Sequence, residues 1–410
     1  MSKKGKIIFI VAALLIIGAI VAGVILGLRK MPTTTPSVKP ATLPMASSSQ
    51  PDAQNITSTE TTQVPVLNGE VPDNFPTDLK RLTILTKNPV SAYWIASRGV
   101  LNEQIASSSP LQSIVFYMNE KGDIMRIHDD GTESVVSHLG EAPLSITQSV
   151  SGAKVVVKFI SGSFALFDVV RGAFEFLPQG TISAAFSPDE TKLAYLVANT
   201  SGKQELFVRD LTSAKKNITK LLSLSMNDMQ IVWPVGTRIY FYPPQSVNVV
   251  GEIWYFDTIT KTMGLFYSGS GIGALFSEIS PLAVIFRNDG PFSINANINN
   301  IKTGETNSLG VLTLLSKCTF SLDTSDLLCA VPQIWNKMSN VQIPDDYNMM
   351  SLFTNDQLYR FSGSNAYHMQ TLLSTTQAPF DAKNIISQSN QLFFVDRLTG
   401  MLYMFDMRGL

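Results

Sequence analysis

Four times in this chain a short apolar run ends in an aspartate: Ala165-Leu166-Phe167-Asp168, Phe207-Val208-Arg209-Asp210, Trp254-Tyr255-Phe256-Asp257 and Tyr403-Met404-Phe405-Asp406. The first three aspartates step from 168 to 210 to 257, intervals of 42 and 47 residues. Asn300 opens the same kind of turn a further 43 residues on. A period of about 40–45 residues is the length of one four-stranded propeller blade. A hairpin marker precedes these strands as Phe186-Ser187-Pro188-Asp189, Phe276-Ser277 with Pro281, Phe320-Ser321-Leu322-Asp323 and, degenerate, Val150-Ser151-Gly152. The most regular unit, Thr181–Leu222, alternates apolar runs with polar turns and reads as four short strands. Such a sheet leaves both faces uncovered by itself, so the units must pack against one another.

Unit centres fall at residues 93–138, 143–178, 181–222, 229–268, 271–310, 314–373 and 380–406. The expected fold is therefore an all-β, seven-bladed β-propeller of four-stranded antiparallel blades over residues 78–410. The last unit ends too soon for a fourth strand, while Leu79–Leu85 precedes the first unit with no place in it. A ring must close to hide its edges, so Leu79–Leu85 is expected to supply the outer strand of the final blade. At these residues the chain resembles the TolB-like, WD-repeat-like propellers, whose repeat reads close to FSPDG-x-x-[LI]-A-[YF] followed by an apolar strand ending in Asp. Thr181–Leu222 matches that pattern with Glu190 where glycine is usual. The resemblance implies a propeller of the bacterial envelope, here without the N-terminal α/β domain of TolB.

The first 30 residues point to a membrane. Ile7–Leu28 carries no charge and no proline, long enough for a spanning helix of about 20 residues. A cleavable signal peptide competes, but its apolar core is about 7–15 residues and ends at a small-residue site, whereas this run stops at Arg29-Lys30. Residues 1–30 thus read as a signal-anchor, with Lys3, Lys4 and Lys6 favouring the N-terminus inside. Ala19, Gly23 and Gly27 share one face of that helix, a candidate homodimer contact. Residues 31–77 are rich in Pro, Ser and Thr and read as a disordered linker, reaching ~140 Å if extended. It includes the acceptor pattern Asn55-Ile56-Thr57.

Composition narrows the chemistry. With 31 Lys+Arg against 32 Asp+Glu and a net charge of −1, there is no basic stripe and no footprint for nucleic acid. His128, His138 and His368 are scattered without metal-ligand spacing. No nucleophile elbow, dinucleotide fingerprint, P-loop or zinc-protease motif occurs; Gly269-Ser270-Gly271-Ile272-Gly273 is a loop-like run. No catalytic, cofactor or metal site is assigned, and the recurring aspartates read as turn-formers. Cys318 and Cys329 flank a turn centred between Asp323 and Thr324, which sets them opposite on adjacent strands. Opposed Cα atoms lie about 4.5–5.5 Å apart, within disulfide range. They form either a disulfide or two buried thiols.

One repeat is broken. The strand Gln357–Phe361 ends 61 residues after Asn300, and the extra length falls in residues 332–356. This insertion holds Trp335, Met338, Asp345, Asp346, Tyr347, Met349, Met350, Leu352 and Phe353, a composition found at interfaces. Asp345-Asp346 is expected to cap a short helix over Asn348–Phe353. The segment is either a partner surface or a plug over the channel. The expected function is a non-enzymatic, single-pass, membrane-tethered module on the outer side of a cytoplasmic membrane, binding a protein or an envelope polymer. The alternative is a propeller hydrolase or lyase with its site in the channel; a cytoplasmic scaffold is the third.

Overall fold

The second strand of each unit is apolar at nearly every position, as in Ile114–Met118, Arg238–Tyr242 and Gln391–Asp396. A strand of that kind must be covered on both faces. The computed structural model, which describes residues 79–103, 109–213, 215–288, 294–333, 342–362, 368–374 and 379–410, shows how. The chain forms seven four-stranded antiparallel sheets, blades one to seven at residues 92–138, 143–176, 181–224, 230–270, 273–308, 318–373 and 382–406. Seven buried clusters fill the seven junctions between neighbouring blades. The expected membrane helix, the linker with Asn55, and Ala19, Gly23, Gly27, Trp335 and Met338 lie outside the described residues. Among the described residues no helix is long and apolar enough to cross a membrane.

The period of two along a strand divides the core between neighbours. In blade seven, Leu392 and Phe394 pack toward blade six, while Phe393 and Val395 pack toward blade one. In blade one, Tyr93, Ile95 and Val115 turn to blade seven, and Trp94, Phe116 and Met118 to blade two. Trp94 stacks on Phe116 at 5.1 Å between ring centres and meets Phe167 of blade two edge-on at 6.2 Å. Each large side chain buried this way contributes roughly 1.5–3 kcal/mol relative to exposure.

The repeated hairpin has a simple local cause. Its serine is buried, and its Oγ accepts a backbone N–H: after the turn in blades two and three, where Ser149 accepts from Lys154 and Ser187 from Lys192, and within the turn in blades five and six, where Ser277 accepts from Ser280 and Ser321 from Thr324. Glu190, at the usual glycine position, holds φ at +56°. Its carboxylate accepts from the N–H and hydroxyl of Ser151 in blade two, a tie that offsets the strain of a left-handed residue.

The ring closes as expected. Strand Leu82–Ile84 is the outer strand of blade seven, pairing Leu82 with Phe405 and Ile84 with Tyr403. Leu85 N–H donates to Leu402 O at 2.8 Å, and Arg81 Nη1 donates to the carbonyl of Arg408 at 2.6 Å. At Gly400, φ is +73° and an added Cβ would stand 2.8 Å from Pro89 Cβ, so only glycine lets the N-terminal segment pass. Leu82 is fully buried, and Leu82→Ala is expected to lower unfolding free energy by about 2–5 kcal/mol. Removing the chain through Thr86 should lower the melting temperature further; an unchanged melt in either variant contradicts closure by this strand.

Candidate functional site

The turn-forming aspartates settle first. Asp210 Oδ1 accepts from Thr212 N–H at 2.8 Å, Asp257 Oδ1 from Ile259 and Thr260 N–H, and Asn300 Oδ1 from Lys302 N–H. Asp168 and Asp406 do the same for Arg171 and Arg408. Each holds its own turn, and Asp257 also accepts from the Thr237 hydroxyl.

Cys318 and Cys329 form a disulfide across the first two strands of blade six, in direct register with Cα atoms 4.1 Å apart. Both are buried in the junction with blade five. The bridge therefore ties the inner strand to the strand from which the insertion departs.

The insertion joins Leu327–Pro332 to Asp356–Ser362, and its described part, residues 342–355, is held from beneath. Ile343 is buried, and its carbonyl accepts from Asn288 Nδ2 of blade five at 2.7 Å. Asp345 Oδ2 accepts from Val247 N–H of blade four at 2.9 Å and from the Ser246 hydroxyl at 3.2 Å. The helix, α1, is Asp345–Asn348, one turn earlier than the expected Asn348–Phe353. The reason is Pro344, which takes the N-cap position and puts both aspartates inside the first turn. Asp346 Oδ2 takes the N–H of Gln342 instead of capping a later helix, and Met350 at φ +62° ends the run.

Tyr347 is the anchor. It is 3% exposed, and its hydroxyl donates to Asp381 Oδ1 at 2.7 Å. Its ring lies between two cations, Arg397 at 3.7 Å and Lys317 at 4.8 Å. Lys317 Nζ is fully buried and donates to Asp356 Oδ2 at 2.5 Å, Asp381 Oδ1 at 2.6 Å and Ala382 O at 3.0 Å. Arg397 donates to Asp381 Oδ2 at 3.2 Å, to Tyr347 O at 2.8 Å and to Leu352 O at 3.1 Å. Two cations face two carboxylates, and the ammonium spends all three protons. Burial costs charged groups heavily unless they are paired and hydrogen-bonded in this manner. Burial alone would raise the Asp381 carboxyl, but Lys317 together with the hydroxyl of Tyr347 holds it below the usual range. At Asp356 burial outweighs Lys317, and the carboxyl stands above it. Burial and Asp381 push the Tyr347 phenol far up.

The residues named in advance are thus divided. Tyr347 turns inward as the anchor, Asp345 and Asp346 serve as ties, and Leu352 joins the core. Met349, Met350 and Phe353 face out, 69%, 50% and 44% exposed. Lys317, Asp356, Asp381 and Arg397 were not anticipated. Lys317, Asp356 and Asp381 sit at or just before the start of a strand and Arg397 directly after one, positions that charges in solvent occupy equally.

A second feature lies at the other face, where the first hairpin of each blade emerges. A cavity of about 160 Å³ is lined from blades two to five, including Gln148, Val150, Phe186, Trp233, Tyr242 and Glu278. Burial, reinforced by the charge of Glu190, pushes the Glu278 carboxyl up to about 7. Its Oε2 is buried without a hydrogen-bond partner, as is Trp233 Nε1. The inner strands around it, such as Gln230–Val232 and Gly273–Phe276, are mostly apolar.

Together these features define a closed seven-bladed propeller with one face capped by an insertion. Among solved structures, the WD40 repeats of RRP9 superpose with a TM-score of 0.52 at 10% identity, covering 80% of this chain and 98% of that one. U3-55K gives 0.51 at 10% identity, with the same 80% and 98%. TolB from Acinetobacter baumannii gives 0.42 at 14% identity over 68% of this chain, which spans 62% of the length of that TolB. The shared feature is the fold, that of a WD-repeat-like propeller. No family model and no curated protein matches the chain.

Two outcomes follow from this geometry. Tyr347→Phe strands Asp381 without one donor and should cost about 1–3 kcal/mol in denaturant unfolding; Lys317→Met, which leaves Asp356 without its counter-charge while Asp381 keeps Arg397, should cost about 3–5 kcal/mol. Neutral results for both would mean that the insertion is not clamped through this network. At Glu278 the folded state binds a proton that the unfolded state releases near 4.5, so this group's contribution to stability falls as pH rises from about 4.5 to about 7. Relative to Glu278→Gln, the wild-type protein should lose stability across that window, and parallel pH profiles would refute the shift.

Proposed function

We propose that this chain is a non-enzymatic, membrane-tethered propeller that displays its capped face on the outer side of a cytoplasmic membrane and binds a protein or an envelope polymer there. The observation that carries the reading is the division of the insertion. Its inner side is clamped to blades four, five and seven, while Met349, Met350 and Phe353 stand exposed on top. Large apolar groups on a rigid support are suited to a partner surface, because little ordering entropy is lost when they dock. Methionine in particular adapts to varied partners.

The outward orientation draws on other features. The apolar run Ile7–Leu28 and the Pro/Ser/Thr-rich residues 31–77 form an anchor and a spacer. The Cys318–Cys329 disulfide belongs to an oxidising compartment. Both sides of the proposal are testable. Met349→Asp places a charge at the most exposed of the three apolar groups, 69% exposed, and spares Met350 and Phe353, which contact Arg397 of the clamp, so the melt should move little. Affinity capture of partners should fall at least tenfold, and undiminished capture would remove this surface from consideration. For orientation, Val170 is 59% exposed. A cysteine placed there should react with an impermeant maleimide in intact cells, and labelling only after lysis would put the propeller on the inner side.

A further inference from the structure

The cavity at the hairpin end of the channel is separate from the insertion and plays no part in the docking surface. Its wall has an unusual balance. Among the described residues that line it, Glu278 alone carries a charge, and aromatic rings of Phe186, Trp233 and Tyr242 make up much of the rest. The charge that bears on Glu278 is that of Glu190, of the same sign and already engaged with Ser151. One oxygen of this half-buried side chain, Oε2, lacks the partner that buried polar groups ordinarily have.

We propose that this end of the channel binds a small organic cation of the alkylammonium class, its nitrogen pairing with Glu278 and its carbons lying against Trp233, Phe186 and Tyr242. A cation supplies what the site lacks, a counter-charge for the carboxylate. The rings add attraction through their negative faces, strongest where water is excluded. Oε2 is sealed and unpartnered, but the last torsion of a glutamate is broad and roughly two-fold, so either oxygen can turn to the ligand. Size limits the occupant: about 160 Å³ holds some five waters at ~30 Å³ each, a few carbons and an ammonium.

Other occupants fit less well. A calcium ion takes six to eight oxygens, and among the described residues no three His, Cys, Asp or Glu side chains gather. An anion would meet a carboxylate. A neutral guest can donate a hydrogen bond to Glu278 but brings no counter-charge.

The ammonium can belong to a free amine or to the lysine side chain of a partner. Calorimetric titration of the full-length protein with n-butylammonium, with N-acetyl-lysine-methylamide and with n-butanol separates the cases. At least one cation is expected to bind saturably at one site, tenfold or more tighter than n-butanol. Preference for n-butylammonium points to a free amine, and preference for the lysine derivative to a partner side chain. Glu278→Gln should weaken the cation at least tenfold. Absence of saturable binding, equal binding of n-butanol, or unchanged affinity in Glu278→Gln overturns the proposal. Should Glu278→Gln fail to fold, Val150→Phe, on the hairpin of blade two, fills the cavity without touching the charge; undiminished cation affinity there overturns it equally.

Discussion

Everything in this molecule depends on a backbone ladder of three residues. Leu82–Ile84 pairs with strand Leu402–Asp406, and without it blade seven would be a three-stranded sheet with a half-covered face. The seven junctions are equivalent in kind, since each is filled by alternate side chains from two neighbouring second strands. They differ in sequence separation. Six join consecutive blades, and the seventh joins the two ends of the ring, as in the hydrogen bond from Tyr93 to Phe393, 300 residues apart. Closing that loop carries the largest entropy cost, so the closing strand, the Arg81 contacts and the glycine at 400 are concentrated there.

Blade six departs from this regularity in a coordinated way. The same blade holds the disulfide, the long insertion and the buried Lys317. An insertion between the second and third strands would ordinarily be a mobile excursion with exposed backbone. Here it returns to the ring through Tyr347, whose aromatic ring and hydroxyl satisfy two cations and a carboxylate at once. The network is electrically balanced and its ammonium is fully hydrogen-bonded. That makes it a joint rather than a reactive centre.

Much of this was legible from the residues themselves. The blades showed because strands buried on both faces are apolar at consecutive positions, as in Ile114–Met118, and because turn-forming Asp210 or Asp257 recurs at blade length. The cysteine pairing showed because a hairpin turn sets the opposite partner for every position on it. The clamp did not show, for a physical reason: Lys317 finds Asp381 64 positions away, and nothing local distinguishes a lysine that will be buried from one in solvent. The helix was placed too late because aspartate serves both as a cap and as a first-turn residue, and Pro344 decides between them. Glu278 was visible as part of a repeated hairpin, but its isolation depends on which residues of three other blades surround it.

The position of the closing strand has a mechanical consequence. The segment that precedes Leu79 continues directly into Leu82–Ile84, the strand that locks the ring. Any tension transmitted along the N-terminal chain is therefore delivered first to the latch of the propeller and not to its middle. Resistance to pulling is set by one short ladder together with the Arg81 contacts, and the other six junctions bear load only after that latch has given way.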